Sequence, residues 1–475
     1  MHIHIVHRAI RIHDNTSLIY QLKNSEKSVQ VIFIFTPEQI KPSENKYFSN
    51  GSVQFMIESL NELSDEIKEY NGRLQFFYGD NLKVLKDINR ITKIESISFN
   101  YEYTPYGRKR SKIINDWAKD NNIIIYEKED YVLYDILTGD TLKKDKTPYL
   151  VYTPYMHHLI NDLEVRPIDK FNKFKFIDNK ELHKSKYYLE QKEINKFYTI
   201  NEDINVNGGR SNTLKILKNI DDFKDYQKKK DFLTYKTTFL GPSNHFGTAS
   251  IREVYYAIRN KLGKNHGLIR ELIWRQFYME LCHHFPKVLQ GQIKSHNLSL
   301  KEKYDKIQWE NDKKLFEKWA SAKTGIPIVD ASVRQLLKKN FVHNRCRMIS
   351  ACFVVKDLLI DWKICEKFYA SKLVDYDPMV NNMSWQWVAG MGADAQPYFR
   401  IFNPWTQAKK YDKDAEYIKE YIPELRDVPA KDIHNWFDPE IREYWKSKGI
   451  KYYDPIVDHS EQRKKIIKLY KKALY

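Results

Sequence analysis

Five short apolar or alternating runs, separated by stretches of helical spacing, occupy the first 130 residues. Residues 2–7 alternate His with Ile or Val, Val29 to Phe35 is β-branched and aromatic, and Leu74 to Tyr78, Ile94 to Phe99 and Ile123 to Tyr126 repeat the theme. Each has the length and composition of a buried strand. Between them Val53, Met56, Ile57, Leu60, Leu63 and Ile67 recur three and four apart, as do Leu82, Leu85, Ile88 and Ile91, and then Ile113, Ile114 and Trp117. Strands alternating with one-sided helices predict a doubly wound parallel α/β domain, Rossmann-like in layout, over residues 1–130. No Gly-rich phosphate loop follows the first strand, so no dinucleotide site is expected there.

From 131 to 205 the periodicity gives way to Lys-, Asp- and Tyr-rich sequence around Thr147-Pro-Tyr-Leu-Val-Tyr-Thr-Pro-Tyr155, read as a connector wrapping the surface. Over 206–475 the pattern is helical, with apolar stripes at Ile251 to Leu262, Leu268 to Phe285, Leu315 to Trp319, Ile328 to Leu337, Asn344 to Ile360 and Ile418 to Leu425. The expected architecture is α/β plus all-α: an N-terminal domain at 1–130, a connector at 131–205 and a large helical domain at 206–475.

Composition adds a partner class. A 475-residue chain with 42% hydrophobic residues has ample core for two domains, and a net charge of +17 attracts polyanions such as nucleic acid. Abundant Lys, Ile, Asn and Tyr would also follow from an AT-biased coding sequence. Cys282, Cys346, Cys352 and Cys365 form no C-x-x-C pair and sit among apolar residues, so they read as reduced core thiols without a metal. The N-terminus has no signal-like apolar run and no 18-residue apolar span occurs, so a soluble, intracellular protein is expected. The Asn-x-Ser triplets at Asn15 and Asn297 then carry no glycosylation meaning.

Three constellations in the helical region carry chemistry. Glu271, Trp274, Arg275 and Tyr278 share one helix face, and a carboxylate beside an indole can orient a planar ligand; a surface Glu–Arg pair with a half-buried Trp would look the same. Asn344, Arg347, Met348 and Ala351 share a second face whose small and adaptable residues leave room for a ligand. The stretch Asp375-Tyr-Asp377-Pro-Met-Val-Asn381-Asn-Met-Ser-Trp385-Gln-Trp387 is too polar and ring-rich for an ordinary core helix. Its two indoles, two residues apart, point nearly oppositely on a helix, so each would serve a different side. Gly390-Met-Gly392-Ala-Asp-Ala395 matches G-x-G-x-x-A, but it follows a helical stretch and not a strand, so it is not a dinucleotide fingerprint.

In family order and spacing, the chain carries Trp319, Thr324-Gly-Ile-Pro-Ile-Val-Asp330, His343-Asn-Arg-Cys-Arg-Met348, Lys356-Asp-Leu-Leu-Ile-Asp-Trp362 and the Asp375 stretch. In these it resembles the photolyase/cryptochrome family, closest to the class I type of cyclobutane pyrimidine dimer photolyase. The resemblance implies an antenna domain followed by a helical domain that holds FAD. It implies cofactor contacts from Tyr226, from Thr237, Thr238, Phe239, Leu240 and Gly241, and from Asn344, Arg347, Asp375, Asp377 and Asn381, with Arg347 paired to Asp375 and Asn381 facing the flavin. Gly241 departs from the family's usual Ser. Trp309, Trp362 and Trp385 match the three indoles that carry electrons from the surface to the flavin.

On the substrate side, the resemblance implies a catalytic centre of Glu271, Trp274, Trp387, Met348 and Asn381, with the damaged bases flipped out of the duplex. The implied DNA contacts are Lys230, Glu271, Trp274, Arg275, Tyr278, Asn344, Arg345 and Gln407. Lys230 stands where many relatives have Arg, and Gln276 where the family pattern Trp-Arg-Glu-Phe has Glu. The activity implied is a carbon–carbon lyase, in which reduced FAD donates an electron under light to a cyclobutane pyrimidine dimer in UV-damaged DNA. A (6-4) photolyase should have a second His where Asn344 stands and another at Met348. A cryptochrome photoreceptor is the other alternative, against which stand Glu271, both stacking indoles and the short stretch after Phe437. The antenna chromophore is open among folate, deazaflavin, a second flavin and none, with Gly107 replacing the Glu of folate binders. A monomer, cytoplasmic or nuclear, wherever the DNA is, completes the expectation.

Overall fold

β1 (His2–Ile5), β2 (Val29–Phe35), β3 (Gln75–Tyr78), β4 (Ser96–Asn100) and β5 (Ile124–Lys128) form a parallel sheet in the order β5-β4-β1-β2-β3. The computed structural model describes residues 1–25, 27–292 and 298–474, so Asn297 lies outside the described residues. All seven β2 residues are buried, and alternate ones serve opposite layers. Val29, Val31, Phe33 and Phe35 pack with Leu60 and Leu63 of the Asn50–Glu69 helix, whereas Ile32 and Ile34 pack with Val84 and Leu85 of the Asn81–Ile91 helix and Ile114 of the Pro105–Asp120 helix. A strand with both faces covered reads as a continuous apolar run for this reason. The order reverses at β1, between β4 and β2, and the crevice at its carboxyl end is the topological switch point of the sheet.

The segment 131–205 does more than wrap the surface. It adds β6 (Tyr188–Leu189) antiparallel to β3, inserts Phe174 and Phe176 into the sheet core, and sends Tyr131, Val132, Leu133 and Ile136 into the helical core. Gln276 explains how this stretch is held. Its Oε1 accepts from the main-chain N–H groups of Leu133 and Tyr134 at 2.9 and 3.1 Å, and its Nε2 donates to the Tyr134 carbonyl at 2.8 Å. A Glu in that position could not make the third bond when ionised.

The helical region follows the expected stripes, with one difference. The run from Asn344 is a helix only to Cys352, then a π-helical turn over Phe353–Asp357, and it ends at Leu359, whose φ is 55°. Gly390, at φ 82°, closes the Pro378–Ala389 helix, so the glycines of the 390–395 stretch begin as a helix terminus and not as a phosphate loop.

A buried charge cluster joins the two domains. Arg252 of the Ile251–Leu262 helix reaches Asp14 at 2.8 Å and Asp130 at 2.9 Å, and Arg11 reaches Asp130 at 2.6 Å. All four side chains are almost wholly buried. Each charge faces its opposite, the condition under which such groups can be buried at all. The four cysteines are buried and unpaired, and among the described residues no His/Cys/Asp/Glu group could hold a metal ion. No helix among them is long and apolar enough to cross a membrane.

Candidate cofactor and nucleic-acid site

A cavity of about 630 Å³ opens in the helical domain, within the range of about 300–1,000 Å³ usual for small-molecule sites. The segment Tyr226–Asn244 and the helices Ile251–Leu262, Gly267–His284, Asn344–Cys352 and Pro378–Ala389 supply most of its wall. The three polar constellations read from the sequence therefore converge on one space.

At one wall Arg347 Nη2 donates to both carboxylate oxygens of Asp375, at 3.1 and 2.9 Å, while Arg347 Nε is fixed by the Val342 carbonyl at 2.8 Å. Gly241 lies against this pair. A Cβ there would come within 2.7 Å of Asp375 Oδ2, so the absence of a side chain is what admits the carboxylate so closely. The departure from Ser at this position has a steric reason. Beside it Phe239 is held at φ 55°, a conformation uncommon for a bulky residue, and its ring meets Phe341 edge-on.

Asp377 has its capacity taken up by the protein. Oδ1 caps the Pro378–Ala389 helix through the N–H groups of Met379 and Val380, and Oδ2 lies 3.3 Å from Arg8 Nη2 and 3.2 Å from His245 Nδ1. Burial pushes this carboxyl up, yet the His245 bond and the Arg8 charge outweigh it and hold it well below the usual carboxylate range. Asp377 therefore shapes the cavity wall without a free oxygen for a ligand. Arg8 comes from the carboxyl end of β1, so the switch point of the sheet serves the helical domain's site. Sequence reading missed Arg8 and His245; the switch-point rule was the available signal for Arg8.

Arg275 is a further correction. Nη1 donates to the Tyr131 carbonyl at 2.6 Å and Nη2 to that of Asn244 at 3.0 Å, and burial lowers its pKa to about 10. It braces the inner wall and presents no free fork to a DNA phosphate. Tyr278, also expected at the DNA, is buried within the wall beside Trp274. Trp274 itself stacks on Tyr152 at 3.7 Å with the planes 5° apart, leaving one indole face covered by the connector. Trp387 is half-buried at the same cavity, and Met348 lines it as well.

At the mouth, each cation is matched with an acid. Lys230 lies 2.8 Å from Glu271, and Arg345 lies 2.7 Å from Asp231 with its guanidinium over the Tyr411 ring. Burial and the neighbouring Glu271 charge push the Tyr226 phenol up. Asn344 is exposed on the rim, its amide 3.7 Å from the Met348 sulfur. Gln407 is half-buried on the Pro404–Tyr411 helix, outside the cavity wall.

The three indoles differ in their surroundings. Trp385, 3% exposed, lines the cavity and meets Tyr369 edge-on at 5.2 Å; Trp362 is 1% exposed in the adjoining core; Trp309 is half-buried, against Tyr470 at 6.1 Å. All three belong to, or pack on, one hydrophobic cluster.

These walls fit a large amphipathic cofactor such as FAD. An ion pair, the Thr237 and Thr238 hydroxyls and the Asn381 carboxamide offer polar contacts, while Leu268, Leu272 and Val388 give apolar ones. Asn244 Oδ1 is buried at the cavity with no partner among the described residues, an acceptor that a ligand donor would satisfy.

The chain matches the family model described as DNA photolyase over residues 2–172, and that of the FAD binding domain of DNA photolyase over 268–472. The deoxyribodipyrimidine photo-lyase of Buchnera aphidicola subsp. Baizongia pistaciae is 33% identical, over 98% of this chain and 96% of that protein. Among solved structures, the archaeal photolyase of Sulfolobus tokodaii, which holds two FAD molecules, superposes with a TM-score of 0.85 at 33% identity over 99% of each chain. A class III photolyase from Agrobacterium tumefaciens gives 0.87 at 28% identity, over 99% of this chain and 97% of that one. With its parallel α/β domain, its helical FAD-binding domain and relatives matched along nearly their whole length, the chain belongs to the photolyase/cryptochrome family.

Proposed function

We infer that this protein is a light-dependent DNA-repair lyase that binds FAD in the helical-domain cavity and acts on cyclobutane pyrimidine dimers. The observation that carries the reading is the convergence on one cavity of the Arg347–Asp375 pair and Asn381 with Trp274, Trp387, Met348 and Glu271. When bound, reduced FAD supplies the photoexcited electron that opens the cyclobutane ring and receives it back.

The chain's own part is binding and positioning. Arg347 and Asp375, with the main chain at Gly241, would hold the cofactor's polar region, and Asn381 would face its ring. Trp274, clamped on Tyr152, offers a rigid face on which a flipped base can stack, and Trp387 offers a second. Stacking alone reads no sequence, which suits a lesion formed in many contexts. Lys230 and Arg345 at the mouth would meet backbone phosphates, with Asn344 and Gln407 as lesser DNA-side contacts. Trp385, Trp362 and Trp309 would pass electrons inward to return the flavin to its reduced state.

Met348 and Asn344 favour the cyclobutane dimer over the (6-4) product, because neither can supply the proton that a His there would. In the α/β domain, a Cβ at Gly107 would fall 2.4 Å from that of Glu102, so no side chain reaches a folate from this position. The test is repair of a dimer-containing oligonucleotide with chemically reduced protein, in light and in darkness. Repair in light alone is the expected result. Flavin-dependent light absorption without repair would give the photoreceptor reading instead.

A further inference from the structure

The helix His459–Leu474 has two unlike faces. On the inner one Ile466 and Tyr470 are fully buried, and Ile467, Leu469 and Ala473 pack against the hydrophobic cluster that includes Trp362 and Trp385. Tyr470 pins the helix in rotation. Its hydroxyl donates to the Ala389 carbonyl at 2.6 Å, and its ring stacks on Tyr398 at 5.4 Å with the planes 8° apart.

The outer face carries Arg463, Lys464, Lys465, Lys468, Lys471 and Lys472, every one of them exposed. None of the six is in an ion pair with a described residue, and Glu461 is the only acid in the helix. Residues three and four apart are neighbours on a helix, and around Lys468 all four such positions are lysines: 464, 465, 471 and 472. Like charges so placed repel. A face that served only to keep the helix in water would intersperse acids, as Asp116 does for Lys112 on the Pro105–Asp120 helix, at 2.7 Å. The helix dipole favours Lys471 and Lys472 in the last turn but gives no reason for Lys464, Lys465 and Lys468. At the cavity mouth, by contrast, Lys230 and Arg345 are each matched by an acid.

We propose that the outer face of this helix is a second DNA-binding surface, which takes the phosphate backbone of duplex DNA whether or not a lesion is present. None of its cations lines the cavity. Charge alone would attract an anionic membrane as well as nucleic acid, and the apolar side of the helix decides between them. A helix that lies on a membrane buries that side among lipid chains. Here it is already covered by the protein core and held there by Tyr470, which leaves only the charged side to a partner. From Lys464 to Lys472 the helix rises about 12 Å, a length over which duplex DNA carries about seven phosphate charges. Phosphate contacts read no bases, so this surface holds damaged and undamaged DNA alike. The choice of DNA as the polyanion rests on the repair reading given above.

The experiment compares FAD-loaded parent protein with two variants of equal net charge. One carries Lys464→Gln, Lys465→Gln, Lys468→Gln, Lys471→Gln and Lys472→Gln. The other carries Lys83→Gln, Lys86→Gln, Lys93→Gln, Lys109→Gln and Lys119→Gln, at exposed lysines of the α/β domain. Anisotropy titrations of an undamaged duplex at several salt concentrations give Kd and the log–log slope. The helix variant should bind about tenfold or more weakly and lose about 0.9 in slope for each phosphate contact removed, while the α/β variant stays close to the parent. Equal weakening by both variants overturns the proposal, because overall charge would then be the cause. An unchanged Kd in the helix variant overturns it as well. Should that variant fail to fold or to hold FAD, the pair Lys464→Gln and Lys468→Gln carries the same expectation with a smaller loss of slope. Sedimentation with phosphatidylserine vesicles tests the other polyanion: vesicle binding lost in the helix variant while its DNA affinity is kept would replace DNA by a membrane. Absence of dimer repair by the parent would overturn the functional reading itself, an outcome distinct from an unmoved duplex affinity.

Discussion

Lys230 Nζ lies 2.8 Å from Glu271 Oε1 at the mouth of the cavity, and the next residue, Asp231, holds Arg345 at 2.7 Å. Two adjacent residues thus form two crossed ion pairs with two helices. A carboxyl beside an indole would need a partner if it were desolvated. The structure gives it a partner already, with the Glu271 side chain 40% exposed. Partly exposed pairs of this kind contribute little stability, so they can open at small cost when a phosphate or a base competes.

One consequence concerns repair. With Lys230 drawn to a phosphate, Glu271 is released to bond a flipped dimer and to steady charge arriving on it. Glu271→Ala should lower the quantum yield of dimer splitting at saturating substrate while leaving FAD per chain unchanged. Losing one such hydrogen bond costs about 1–3 kcal/mol. Equal yields for the parent and variant would remove the role from Glu271.

A second concerns affinity. Asp231 competes with DNA for Arg345, and Glu271 competes for Lys230. Asp231→Asn should therefore tighten binding to damaged and undamaged DNA alike, because a phosphate contact carries no base information. Lys230→Met should weaken both and flatten the salt dependence, by about 0.9 in log–log slope for each phosphate no longer neutralised. Anisotropy titrations at several salt concentrations measure both. Unchanged slopes would place Lys230 off the DNA.

Much of this site was legible because its chemistry is concentrated in short stretches. Glu271 and Trp274 on one helix face, and Asp375 to Trp387 across a helix start, announce themselves by residue type and spacing. The parallel sheet was legible for a similar reason, since a strand buried on both faces leaves a continuous apolar run. What stayed hidden depends on distance in sequence. Arg8 reaches Asp377 across 369 residues, and nothing near either one signals the pairing. Arg275 reads as a DNA-side cation by type, and only the Tyr131 and Asn244 carbonyls make it a brace. The connector's anchors, such as Phe174, Phe176 and Ile194, enter the core singly from extended chain, so they make no periodic pattern. Gln276 was noticed as a departure, but its reason lies in main-chain groups of that connector, which carry no side-chain signature.

Stability should depend on pH through Glu280. This residue is buried on the Gly267–His284 helix and accepts from the Thr141 and Tyr155 hydroxyls at 2.8 and 2.6 Å. Burial outweighs those bonds and pushes its carboxyl up to about 7. A carboxyl raised above its unfolded value favours the fold below that value, near 4.5, and the contribution is lost as pH rises through about 7. Glu280→Gln should flatten the fall in unfolding free energy across that window, by roughly 3 kcal/mol at most. Urea melts at pH 5 and pH 8 measure it. An equal pH dependence in both proteins would assign the slope to other groups.

The last prediction concerns how the flavin is returned to its reduced form, and it rests on the burial of three indoles. Trp385 lines the cavity, Trp362 is enclosed in the core, and Trp309 is half-buried against Tyr470, so one indole stands at the cavity and another reaches solvent. An electron entering from a solution donor needs oxidisable rings along such a path, and phenylalanine is far harder to oxidise than tryptophan. Trp362→Phe preserves an aromatic ring in the core and sits away from the cavity wall, so FAD binding should survive. Light-driven reduction of the bound oxidised flavin, followed by its absorbance under an external donor, should slow greatly. Repair by chemically reduced protein should be largely spared, since dimer splitting begins at the flavin and not at the protein surface. Photoreduction at the parent rate would remove Trp362 from the path and point to another ring beside Trp385, for which Tyr369 at 5.2 Å is the nearest candidate in the structure.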